Sequence, residues 1–161
     1  MAVANSFIND WDAKFTYNFW RPMTAIRNGD QDGNDHTERD GAWVSFIDAP
    51  LHPEYPSAHS ILAAAVGILI RADLGGAPVP VLTTTSPTAN GEMRRWTSVG
   101  AFVREVGEAR IYEGIHSRTS TEMGVAMGEK IGELAANRLL GGAVSWAEVP
   151  DATWQDARAE Q

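Results

Sequence analysis

The chain has 161 residues, 43% of them hydrophobic, with 13 basic against 21 acidic side chains (formal charge −8) and no cysteine. One compact core fits this length, and this composition excludes wholesale disorder. Disulfides, thiolate nucleophiles, cysteine-bound zinc and iron–sulfur clusters are excluded, and the acidic balance argues against nucleic acid as a main partner.

No signal peptide is visible in MAVANSFIND, and no membrane partner is expected: the most apolar run, residues 58–70, contains His59 and Ser60 and falls short of the ~20 residues of a membrane span. Taken in chain order, residues 5–20 read as an amphipathic, aromatic-rich helix with Asn5 or Ser6 as N-cap. Pro22 interrupts it and pushes Arg21 toward extended backbone, and a short helix over 23–27 follows. Residues 28–56 form a long polar loop, of a kind that is often functional. A buried helix spans 57–73 and closes at Gly75-Gly76. Prolines at 78, 80 and 87 favour loop over strand in 77–96. Ser98 caps a helix to about Glu113, and the capping-box pattern Thr119-x-x-Glu122 precedes a last helix ending at Leu140. The expected fold is an all-α helical bundle over 1–142, with 143–161 a loosely ordered tail.

Three constellations carry chemistry. Lys14 and Arg21, seven apart, would project from one helix face; alone, they read as solvated cations. Pro56-Ser57-Ala58-His59 places a hydroxyl and unpaired amides at a helix N-terminus, an anion site, with His59 beside it to transfer protons. Arg110-x5-His116 adds a guanidinium fork and an imidazole. Together they read as an oxyanion pocket with an acid–base residue and a nucleophile or ligand.

Lys14-x6-Arg21-Pro22, Pro56-Ser57-Ala58-His59 and Arg110-x5-His116, in this order, resemble the three-part signature of vanadium-dependent haloperoxidases and type-2 phosphatidic-acid phosphatases. YNFWRPMTAIR and HPEYPSAHS look like the soluble haloperoxidase branch. The resemblance covers about residues 5–140 and implies the catalytic half of a helical bundle. It implies vanadate, or phosphate in its place, held by Lys14, Arg21, Ser57, the Ala58 amide and Arg110. His116 would be the axial vanadium ligand, and His59 the general acid–base. His52 resembles a second active-site histidine of the bromide-oxidising members, as proton relay or bromide-placing residue. The implied reaction is oxidation of halide, bromide favoured, by hydrogen peroxide, with a small organic substrate. The alternatives are an acid phosphatase with a phospho-His116 intermediate and a phosphate-binding module. Ala58 stands where the family usually has glycine, and Ala109 where it often has serine. Thr119 stands where the phosphatases carry the aspartate behind the second histidine, so that carboxylate is missing or comes from elsewhere. Because family members carry helices upstream of the first motif, the resemblance implies either a truncated fragment or, as the favoured expectation, a homo-oligomer that covers exposed helix faces.

Asp30, Asp32, Asn34 and Asp35 hint at calcium, but the EF-hand pattern is absent and a solvated turn is favoured. Trp11, Tyr17, Phe19, Trp20, Trp43 and Trp96 read as core and pocket wall. His36 has no identifiable partner.

Overall fold

The computed structural model describes residues 1–141; the proposed tail, 143–161, lies outside them. Five helices and one small hairpin follow in chain order: α1 (Ala2–Tyr17), α2 (Pro22–Arg27), α3 (Ala58–Leu74), strands β1 (Leu82–Thr85) and β2 (Met93–Trp96), α4 (Val99–Tyr112) and α5 (Arg118–Leu140). The helical bundle is as expected. No helix among the described residues is long and apolar enough to cross a membrane.

Several boundaries differ from the sequence reading. α1 begins three residues earlier than expected; Ser6 lies inside it, its hydroxyl bonded to the Ala2 carbonyl. The helix stops at Asn18, which takes the left-handed conformation (φ 51°) that asparagine tolerates. Arg21 is therefore beyond α1, extended before Pro22 as the proline demands. α5 is capped by Ser117, whose hydroxyl accepts from the Ser120 amide, and Thr119 is already helical. Residues 77–96 contain an antiparallel hairpin rather than only loop: Leu82 pairs with Trp96 and Thr85 with Met93. Its prolines fall outside the paired residues, with Pro87 in the connecting 3₁₀ turn, so none costs a ladder hydrogen bond.

α3 is the central helix, packed against α5, α4 and α1. Ala63, Ala64 and Ile68 of α3 meet Val99 and Val103 of α4 and Val125 and Ala136 of α5. The α3–α5 contact is close because α5 turns a stripe of glycines, Gly124, Gly128 and Gly132, onto α3. A β-carbon at Gly124 would sit 2.7 Å from the Ser57 carbonyl oxygen, one at Gly132 2.7 Å from Ile68 Cβ, and one at Gly128 would overlap the Ile61 carbonyl. The backbone of α3 leaves no room for side chains there.

α1 is inverted relative to an ordinary amphipathic helix. Its buried stripe is Ala2, Ser6, Asp10 and Lys14, whereas Phe7, Ile8 and Phe15 face outward. The polar stripe is inward because it ends in Lys14, whose ammonium reaches the loop before α3.

Gly128→Ala should lower stability by about 1–3 kcal/mol, the range for overpacking a tight contact, and Gly128→Val by more. Thermal melting checks this; an unchanged midpoint would show that α3 and α5 can separate without cost.

Candidate active site

Lys14 is fully buried, 0% exposed. Its ammonium donates to the carbonyl oxygens of Pro53 (3.2 Å), Glu54 (3.1 Å) and Pro56, and lies 3.5 Å from the Asp10 carboxylate. Three acceptors require three N–H donors, so the group is charged. Burial pushes its pKa down and the Asp10 charge pulls it back up. Far from being solvated, Lys14 sets the path of the HPEYP loop and places a fixed positive charge behind it.

Arg21 is also buried and joins two loops. Nε donates to the His52 carbonyl (3.0 Å), one Nη group to the Ile115 carbonyl (2.9 Å) and to His116 Nε2 (3.2 Å), and the other to His52 Nδ1 (3.1 Å). A guanidinium can only donate, which fixes both histidines: His52 Nδ1 and His116 Nε2 are unprotonated acceptors. The 3.2 Å approach of His52 Nδ1 to the Pro53 carbonyl is then a contact, not a hydrogen bond. His52 is half-buried, with Trp11 at its ring edge (centroids 4.9 Å). It touches Arg21 and so serves to orient that cation.

With Nε2 bare, His116 carries its proton on Nδ1 and donates it to Glu54 Oε1 at 2.9 Å. The same oxygen accepts from the Ser117 amide at 2.9 Å, closing the open N-terminus of α5. Burial drives the His116 pKa from 6.5 down to about 4, with Arg21 and Lys14 adding to the fall and Glu54 opposing it. Burial alone would raise the Glu54 pKa, but the His116 and Ser117 hydrogen bonds outweigh it and hold the carboxyl below its ordinary value. At neutral pH the pair is a neutral imidazole with an oriented lone pair, backed by a carboxylate.

Ser57 is the N-cap position of α3 and is fully buried. Its oxygen accepts from Ser60 Oγ (2.9 Å), so its own proton is available to a ligand. The first bond back into α3 is made by the Ile61 amide to Ser57; the amides of Ala58, His59 and Ser60 precede it. His59 keeps solvent access on this first turn. Neighbouring protein lowers its pKa, and Arg110 and Lys14 lower it further. Arg110, in the last turn of α4, pairs with Glu113 (2.6 Å), while its Nε is buried without a hydrogen-bond partner. A tetrahedral or trigonal-bipyramidal oxyanion fits this set: an unpartnered buried guanidinium N–H, a hydroxyl proton, helix-start amides and an unprotonated imidazole nitrogen that meanwhile accepts from Arg21. Vanadate and phosphate both meet that description.

The other candidates fall elsewhere. Asp32 and Asn34 spend their side-chain oxygens on the amides of Asn34 and His36, and Asp30 lies 3.6 Å from Arg39. His36 is exposed. Among the aromatic residues of the described chain only Trp96 is core, at 8% exposure. Tyr17, Phe19, Trp20 and Trp43 line a cavity, and Trp11 stacks on Phe15 at the surface.

Residues 1–141 match the family model of the VCPO second helical-bundle domain. The chain belongs to that family. Among solved structures it is similar to one described as the first bacterial vanadium-dependent iodoperoxidase, with 29% identity and a TM-score of 0.72 over 89% of this chain and 32% of that one. It also resembles a bacterial vanadium-dependent chloroperoxidase in apo form (22% identity, TM-score 0.68, 84% of this chain and 34% of that one) and in holo form (22%, 0.69, 88% and 35%), a likeness of fold. The chain thus spans about a third of the length of these relatives. A search of curated proteins gives no match.

Within this VCPO-type bundle, Glu54 is the residue that sequence reasoning missed. It lies inside HPEYP, and its only signal was an acidic residue between two prolines, three before a helix cap. It supplies to His116 the carboxylate that Thr119 does not.

The His116 shift has a consequence for stability. Between pH 6.5, where an unfolded histidine titrates, and about 4, the unfolded chain binds a proton that the folded bundle refuses. Stability therefore falls as pH drops through that window. The expected loss from this residue is about 2–3 kcal/mol, or ~5–10 °C in melting temperature. His116→Asn should flatten the pH dependence by that amount, measured by thermal melts from pH 7 to 4; parallel curves would refute the assignment.

Proposed function

We propose that this bundle holds the vanadate centre of a haloperoxidase that oxidises bromide with hydrogen peroxide. The observation that carries the reading is the unprotonated Nε2 of His116, which accepts from the Arg21 guanidinium while Glu54 holds the ring at Nδ1. His116 Nε2 would be the protein ligand of vanadate. Arg21, Arg110, the Ser57 hydroxyl and the Ala58 amide would hold its oxygens, and the Lys14 charge would add to their field without leaving its carbonyl cage. His59, exposed beside Arg110, moves protons between the site and solvent. His52 holds Arg21 in place. Bound vanadate supplies the Lewis acidity that activates hydrogen peroxide toward halide.

One observation favours a second reading. The carboxylate on His116 Nδ1 is what a nucleophilic histidine needs, and Glu54 supplies it. In that case the chain is a phosphatase that forms phospho-His116, with His59 protonating the leaving alcohol.

A paired assay separates the two. Protein with orthovanadate, peroxide and bromide should brominate a dye, and His116→Ala should lower this at least ~100-fold. Glu54→Gln should weaken vanadate binding about 10–100-fold. Vanadate-inhibited release of phosphate from an aryl phosphate, without bromination, would establish the phosphatase instead.

A further inference from the structure

A cavity of about 890 Å³ reaches His116. Its floor includes Glu54 and His116, and its walls are the rings of Tyr17, Phe19, Trp20, Trp43 and Tyr55; Arg21, Ser57, His59 and Arg110 do not line it. Glu54 holds His116 by Nδ1 and Arg21 meets Nε2, so cavity and anion pocket share the imidazole but not their donors.

The rings are placed before any ligand arrives. Tyr17 meets Tyr55 edge-on (centroids 5.3 Å, 86°) and Phe19 packs against it at a tilt (5.6 Å, 44°). Trp43 is fixed at its carbonyl by Arg27 Nε, 2.8 Å away. Its indole lies across Gly114, whose φ of +73° and lack of a side chain both matter: a β-carbon there would sit 2.8 Å from Trp43 Cη2. Despite this order, Tyr17, Phe19 and Trp20 remain 59%, 58% and 53% exposed. Ordered rings around a concavity of this volume match a small-molecule site.

The floor selects the occupant's charge. The Glu54 carboxylate already accepts from His116 and Ser117, and its charge is offset by Arg21 and Lys14, so the site offers no uncompensated charge to a cation or an anion. Stacking on the walls favours a flat π system.

We propose that this cavity binds a planar, uncharged aromatic molecule of the phenol or indole type, at the same time as an oxyanion is held by the separate donors Arg21, Ser57 and Arg110. Binding stands on the cavity alone; the occupant's part in turnover rests on the haloperoxidase reading.

Titration of the full chain with indole and with 2-naphthol, followed by protein NMR shifts, tests this. Saturable one-to-one binding below about 1 mM is expected, and saturating inorganic phosphate should change it by less than about twofold. Trp43→Ala and Gly114→Val should each weaken it at least ~tenfold, with helical circular dichroism retained. Tyr55→Leu is the substitute should either variant fail to fold. Absence of saturable binding, displacement by phosphate, or equal binding of tetramethylammonium would each overturn the proposal. Failure of bromination with indole binding intact would sink only the haloperoxidase reading.

Discussion

The close approach of α3 and α5 across Gly124, Gly128 and Gly132 is the constraint on which the site depends. It brings the starts of the two helices side by side, where the Ser57 amide donates to the Ser120 carbonyl at 3.1 Å. Two positive helix ends then face one region. The molecule treats them differently. The end of α5 is filled from within by the Glu54 carboxylate, whereas the first amides of α3 lie outside its hydrogen-bond ladder. Any residue larger than glycine along the stripe would separate the helices, and with them the two N-termini.

Around this pair the buried cations each have an acidic neighbour. Lys14 lies by Asp10 and Arg110 by Glu113, and the Glu54 carboxylate, which holds the neutral His116, offsets the charge of Arg21. In a chain with a formal charge of −8 the region thus holds cations without accumulating uncompensated ones. The geometry is also fixed in advance, which is where the advantage of such a site over water lies. Arg21 contributes as much by joining segments as by charge, since its donors connect the loop at His52 to the turn at Ile115 and His116.

Much of this was legible in the sequence for a simple reason. Anion binding needs donors from a small set of residue types, and Lys14, Arg21, Ser57, His59, Arg110 and His116 stand at spacings few other purposes require. The helix interiors were legible too, because the apolar run from Ala58 follows the helical period. What failed was whatever depended on contacts between distant segments. Glu54 looked like one more loop acid because nothing local shows that a histidine 62 residues later will donate to it. The inversion of α1 was hidden for the same reason: aromatic residues are ordinarily placed inward by hydrophobicity, and only the carbonyls at 53, 54 and 56 explain why Lys14 takes that position. At the start of α5 the capping-box pattern pointed to Thr119, and the cap is Ser117 instead, whose amide is taken by the distant Glu54.

Glu54 serves two masters through one oxygen, the first turn of α5 and the proton of His116. Adjusting the electronics of that histidine therefore cannot be separated from anchoring the longest helix of the described bundle. A substitution that retunes one disturbs the other, so positions 54, 116 and 117 constrain one another's sequence, and the effects of changing two of them will not add. Divergence of chemistry on this scaffold is accordingly freer at the cavity walls than at its floor.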